Sequence, residues 1–352
     1  MFTFLLSSLL YAAPFTPFAS EGTVIRKPVR ISALGNTCMG GLLSSKMCGK
    51  TRVIMQSIAK EKPDAVLFLG DFVKNGNANS WAKNTADYQG VLGDIPVLAV
   101  PGESEYQMAP KLLPYAKNLP GMAEDIGLNR SAGWFHIRVN VGEQKWKILF
   151  LDANKNQMGS KWNEQLRWLD KTLKKNKDQV LVVLNKSPID LGGSSAKEAR
   201  VLLNEVKERL GLLQLRAVLF AGSRTTQAFL PEGNFDPLYV GCGGGGLKAD
   251  NLHRFERKKR WGLHPALDAF YMENLMRSDV EDAIKDMAKG KGDYKKKRPT
   301  LSGAGFPTYG WCNINIDGKG IRIHTNYLSA KNQVKKSLKL RYNKLKGWHS
   351  TK

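Results

Sequence analysis

Six short runs of apolar and β-branched residues mark out the first two thirds of the chain: VRISAL (29–34), DAVLFLG (64–70), IPVLAV (95–100), WKILFLD (146–152), QVLVVLN (179–185) and RAVLFAG (216–222). Each is bounded by Gly, Pro, Asp or Asn and is almost continuously apolar. Runs of that length and composition predict buried strands. Between them, residues 51–61, 163–176 and 196–210 carry helical patterns, the second with Leu166, Leu169 and Leu173 at helix spacing. The third follows Ser194 and Ser195, either of which can serve as its cap. Strands alternating with helices predict a layered α/β core.

The rhythm breaks after the glycine run at 243–246. A tight turn against the sheet is one reading of these glycines. A phosphate cradle is the other, although no Gly-Lys-Ser/Thr completes a P-loop. Residues 248–305 read as a basic helical insertion, from the basic stretch at 254–260 to Lys-Lys-Lys-Arg at 295–298. Two further strands, WCNINID and GIRIHTNY, follow, with Asp317-Gly318 as a hairpin signal between them. Residues 331–352 hold eight basic residues and no acidic one. Val334, Leu338, Leu345 and Trp348 interleave there at helical spacing, which predicts a cationic amphipathic tail. A frayed, solvated terminus is the alternative reading.

Composition adds charge to this picture. The 352 residues include 54 Lys and Arg against 31 Asp and Glu, a formal charge of +23, and are 42% apolar. The chain is long and apolar enough for a large core. Its field favours anionic partners such as acidic lipid, a polyanionic surface or nucleic acid. The first twenty residues carry no charged side chain and read as an export leader, with Ala19 and Ser20 at the cut. No basic residue precedes the apolar run, and Pro17 fits the cleavage pattern poorly. On this reading the chain is periplasmic or extracellular, with a main domain over 21–330. The four cysteines permit three pairings; Cys38–Cys48 and Cys242–Cys312 are favoured, against four free thiols.

The candidate chemistry lies at five corners that follow strands. They read Gly35-Asn36, Gly70-Asp71, Gly102-Glu103-Ser104-Glu105, Asn185 and Gly222-Ser223-Arg224-Thr225. Their order and spacing resemble the calcineurin-like metallophosphoesterases, especially the purple-acid-phosphatase-like branch, where the corners read GD, GD, GNH[DE], H and GHxH. The resemblance covers roughly residues 28–330. It implies a four-layer α/β/β/α sandwich with two central mixed sheets. It also implies a two-metal site whose cations make hydroxide and stabilise phosphoryl charge.

Most of the implied metal ligands are missing. Asp71 matches the bridging aspartate. Asn36 replaces an aspartate, Asn185 a ligating histidine, and Ser223 and Thr225 both histidines of the last corner. Glu103 stands where the family has asparagine and can still hold metal. Ser104 replaces the histidine that would protonate a leaving group, a role a serine hydroxyl cannot fill near neutral pH. Lys74 stands where the purple branch has a tyrosine.

Losing one outer partner already costs roughly 10–100-fold in metal affinity or activity. The expectation is therefore no cofactor, or a single weakly bound divalent metal on Asp71 and Glu103. Lys74, Lys186 and Arg224 fall in or beside the corners and form a candidate anion pocket; pairing with Asp71, Glu103 and Glu105, or solvent exposure, is the alternative. The functional expectation is an exported pseudo-phosphoesterase that binds an anionic ligand or a partner. A phosphatase or phosphodiesterase with a reduced site centred on Asp71, and an envelope-associated structural protein, are the other two readings.

Overall fold

The computed structural model describes residues 14–39, 47–119, 133–189, 196–210, 214–222, 224, 226–231, 237–247, 301–306, 309–328, 331–343 and 347–350. Five of the six predicted runs form strands within one residue of the apolar core of their pattern: β2 (Val29–Leu34), β3 (Ala65–Phe68), β4 (Val97–Ala99), β7 (Gln179–Leu184) and β8 (Leu215–Phe220). The sixth lies in β6 (Gln144–Leu151), which pairs antiparallel with β5 (Phe135–Val141). A short β1 (Val24–Ile25) runs parallel to β5. The predicted helices are α1 (Gly49–Glu61), α6 (Lys161–Leu173) and α7 (Lys197–Arg209), and the short α3 (Glu103–Tyr106), α4 (Leu113–Asn118) and α5 (Lys155–Met158) lie between them in the chain. Helix α7 begins after Ala196, which offers no side-chain cap; Ser194 and Ser195 lie outside the described residues.

The strands form two mixed sheets. One runs β1-β5-β6-β7-β8-β10-β9-β11, with β9 (Thr226–Pro231), β10 (Leu238–Cys242) and β11 (Leu301–Phe306). The other runs β15-β14-β13-β12-β2-β3-β4, with β12 (Gly310–Asp317), β13 (Gly320–Leu328), β14 (Val334–Asn343) and β15 (Gly347–Ser350). Strands β2–β3–β4 and β6–β7–β8–β10 are parallel, so their helices must cross over and cover a face.

In the first half α1 buries Ile54, Met55 and Ile58, and α2 (Ala78–Leu92) buries Trp81 and Tyr88. The ring of Tyr88 lies 5.0 Å from Phe68 of β3. Against the other sheet, α6 buries Leu169 and Leu173 while α7 buries Leu202, Leu203 and Val206. The sheets meet at residues such as Trp146 and Tyr342, whose rings lie 6.3 Å apart edge to face. Cys242 of β10 and Cys312 of β12 join the sheets covalently, and Cys38–Cys48 closes the loop before α1. Both are the favoured pairings.

Two expected elements are corrected. The tail is not a helix: β14 pairs along β13 and β15 along β14. Leu340, Tyr342 and Trp348 turn inward with low exposure, so alternation in the strand period governs them and the apparent helical spacing does not. The basic insertion, expected to end at 305, gives way by Leu301 to β11, antiparallel to β9; residues 248–300 lie outside the described residues. Residues 14–20, just before the domain start expected at 21, lie against the fold. Phe15 and Ala19 are core residues, and the Val97 N–H donates to the Thr16 carbonyl at 3.1 Å. The hairpin behaves as anticipated, with Asp317 opposite Gly320 and its side chain accepting from the Lys319 N–H at 2.8 Å.

Candidate functional site

Parallel strands end on the same side, so the turns after β2, β3, β4, β7 and β8 gather at one edge of the sandwich. Close approach there depends on glycine. At Gly102 an added Cβ would strike the backbone N and side chain of Asp71; at Gly70, with φ +90°, it would strike Gly102. The second and third corners are thus locked against each other at positions where any side chain would intrude.

Glu105 organises these two corners. Fully buried, it accepts the backbone N–H groups of Asp71 (2.9 Å), Phe72 (3.0 Å), Val73 (3.0 Å) and Gly102 (2.6 Å). Burial and then the neighbouring Asp71 charge push its carboxyl up to about 8, against the pull of those N–H donors. Asp71 sits at φ 53°, a left-handed conformation, and its Oδ1 accepts the Ser104 N–H at 2.9 Å. The one carboxylate matching the family's bridging ligand is thereby engaged by backbone on one oxygen.

The other corner residues are committed in the same way. Asn36, also left-handed at φ 54°, donates its side-chain amide to the Gly243 carbonyl at 3.1 Å. Gly245 N–H in turn donates to the Gly35 carbonyl at 2.9 Å, so the glycine run is a turn that seats the first corner. The Asn185 side chain bridges two chains: its Oδ1 accepts the Ala153 N–H at 2.8 Å, and its Nδ2 donates to the Pro101 carbonyl at 2.7 Å. Lys186 reaches across to Glu103, Nζ to Oε1 at 2.6 Å. Lys74 and Arg224 are exposed. Ser223 and Thr225 lie outside the described residues. Of the three predicted anion-binding cations, Lys186 is therefore held by an acid.

A sixth corner escaped the sequence reading. After β6, Asp152 is fully buried; it accepts the Tyr106 hydroxyl at 2.5 Å and the Asn154 N–H at 2.8 Å. Burial pushes its carboxyl up to about 7, opposed by these donors and by Lys186. Burial also raises Tyr106 far above the usual phenol range. The signal was present: WKILFLD ends on a polar residue as the other corners do. The role of Glu105 was legible too, since it stands three residues after the Gly102 turn, at the capping-box position.

A two-metal centre needs several carboxylate and imidazole donors turned to a common point. At this edge Asn36 presents a donor to a carbonyl, the Asn185 oxygen faces an N–H, and Lys186 places an ammonium on Glu103. No group of three or more His, Cys, Asp or Glu able to hold a metal occurs among the described residues. Among the described residues, the donor set at this edge does not fit two cations.

Comparison with known proteins agrees with this architecture. The family model for calcineurin-like phosphoesterases matches residues 48–223. A probable glycerophosphodiester phosphodiesterase of Arcobacter nitrofigilis is 28% identical over 142 residues, spanning 38% of this chain and 45% of that protein; the chain thus covers about half of the relative's length. Among solved structures, the anchor protein GAP50 of the Plasmodium inner membrane complex superposes with a TM-score of 0.54 at 15% identity, covering 89% of this chain and 88% of that one. PhoD gives 0.55 at 14% identity, over 96% and 73%. The purple acid phosphatase PPD1 of yellow lupin gives 0.52 at 15%, over 92% and 54%. At these identities the structures speak to fold alone.

Proposed function

The chain belongs to the calcineurin-like phosphoesterase family, and from that premise we propose that it acts without two-metal hydrolysis, as an exported binding or scaffold protein. The observation that carries this reading is the commitment of the corner side chains to one another and to backbone. Asp71, Asn36, Asn185 and Glu103 stand at the family's ligand positions, and each meets an N–H, a carbonyl or an ammonium there. Function on this fold has to be argued from the site, and this site holds its own loops together. The Plasmodium neighbour is described as an anchor, so the fold also occurs in a protein given that role, while the reading for this chain rests on its own site.

An anionic partner suits the outer face of the second sheet. Register places Arg30, Asn315, Arg322 and Arg341 side by side across β2, β12, β13 and β14. Directly paired residues share a face, so three guanidinium groups form one row, with Lys339 in the next row beside His324. Asp64 and Asp317 pair with Arg30 and Arg322 at 3.9 and 2.6 Å and temper the row without cancelling it. Acidic lipid or another polyanionic surface is the partner we assign to it; sedimentation with anionic vesicles should be lost in Arg322→Ala with Arg341→Ala, and binding of duplex DNA without binding of vesicles would overturn the assignment.

One observation favours a hydrolytic reading: Asp71 is part-exposed at the edge, and the matched Arcobacter relative is named a phosphodiesterase. Assaying phosphomonoester and phosphodiester hydrolysis with Mn²⁺, Zn²⁺ and Fe²⁺ supplied decides between them. We expect turnover no greater than that of Asp71→Ala. Turnover abolished by that substitution would establish the reduced enzyme and end the scaffold reading.

A further inference from the structure

The sandwich carries a second opening at the end opposite the corners. A cavity of about 390 Å³ lies among the turn between β5 and β6, the N-terminal ends of β7 and β8, and the C-terminal part of β14. That volume falls in the range of small-molecule sites, roughly 300–1,000 Å³. Its basic lining is Lys145, Lys177 and Arg216, and its acidic lining is Glu143 and Asp178.

The floor is fixed. The Arg216 guanidinium lies 4.7 Å over the Tyr342 ring, and the Trp348 indole N–H donates to the Arg216 carbonyl at 2.6 Å. Tyr342 is held in turn by Trp146 and Trp348, with ring centroids at 6.3 and 5.7 Å. A stacked guanidinium presents its N–H fork in a set plane, which suits oxyanion recognition.

Burial disfavours charge at this floor: it pushes the Arg216 guanidinium down and the Tyr342 hydroxyl up. An anion in the cavity would offset that cost to Arg216 and leave the neutral phenol as a donor. Asp178 has its own counter-ion in Arg138, at 3.7 Å. The lining itself sets three basic groups against two acidic ones, a balance of +1, and one of those acids is the Asp178 that Arg138 pairs with from outside it.

We propose that this cavity is an anion site for a phosphate dianion, free or as the terminal group of a small phosphomonoester. Arg216 and Tyr342 form its floor, and Lys145 and Lys177 stand at its rim. The site is separate from the corner edge and does not depend on whether that edge hydrolyses anything.

Titration of the full chain with inorganic phosphate, and separately with glycerol phosphate, at constant ionic strength tests the proposal by calorimetry. Saturable binding should appear with Kd no weaker than about 10 mM, a few kcal/mol of affinity. Arg216→Gln should weaken it about tenfold or more, Lys177→Ala several-fold, and Arg224→Ala at the corner edge not at all. If Arg216→Gln loses its thermal transition, the exposed pair Lys145→Ala with Lys177→Ala carries the test. Tighter binding of glycerol phosphate would identify the monoester as the ligand, and equal binding the free anion. Absence of saturable binding, complete displacement by equal ionic strength of chloride, or loss in Arg224→Ala alone would overturn the site.

Discussion

The two ends of this sandwich handle polar groups in opposite ways. At the corner edge, Glu105 and Asp152 are buried and Asp71 and Asn185 are tied to backbone, so charge and hydrogen bonding hold the loops shut. At the opposite end, Lys145, Lys177 and Glu143 stand exposed around an open cavity, over a half-buried Arg216 and a buried Tyr342. On the reading proposed above, a fold whose usual chemistry sits at the strand C-terminal edge uses that edge here to hold its loops together. The lesson is that a ligand position can be replaced in two ways, by an inert residue or by one that knits the loops. Asn185, which bridges the Ala153 N–H and the Pro101 carbonyl, is of the second kind.

The comparison predicts a ranking of effects. Deleting residues 331–352 should be the most damaging change, abolishing the cooperative thermal transition, because it removes β14 and β15 together with Tyr342 and Trp348. A folded, cooperative truncation would show that the tail is an appendage after all. At the corner edge, Glu105→Ala should cost about 2–4 kcal/mol in denaturant unfolding, since it leaves the four buried N–H groups of Asp71, Phe72, Val73 and Gly102 without an acceptor. Asn185→Ala should cost about 2 kcal/mol by stranding the Ala153 N–H and the Pro101 carbonyl.

The pH dependence of stability sharpens the contrast further. Asp152 is raised to about 7 and Glu105 to about 8, both above the ordinary carboxylate values of roughly 4. The folded chain therefore binds more protons than the unfolded chain between those limits. Their stabilising contribution is complete below about pH 4 and is lost as pH rises through 7 and then 8. Unfolding free energy should fall across that window, and Asp152→Asn should flatten its lower part; an unchanged slope would refute the assignment. The smallest effect belongs to Lys186→Ala. Its partner Glu103 is 56% exposed, so the pair should contribute less than about 1 kcal/mol.

Much of this was legible in the chain. The apolar runs fixed six strands, and corner spacing fixed the family and the two-sheet architecture. The tail misled because Val334, Leu338, Leu345 and Trp348 satisfy a helical period by coincidence, while the alternation of Lys339, Leu340, Arg341 and Tyr342 is the period that packs. Strand β9 and β11 were missed: their pairing is long-range, across a long intervening segment, and neither carries a strong β-branched pattern. At the site, residue identity told which ligands were gone. It could not tell what Asn36, Asn185 and Lys186 do instead, because their partners at Gly243, Ala153 and Glu103 are set by loop geometry far apart in sequence.

The claim that the corner edge is structural is tested most directly by the metal content of the folded chain. Protein equilibrated with a small excess of Mn²⁺, Zn²⁺ or Fe²⁺, then freed of unbound ions, should carry well under one equivalent per chain, the same in wild type and Asp71→Ala. Two equivalents per chain in wild type, lost in Asp71→Ala, would contradict it.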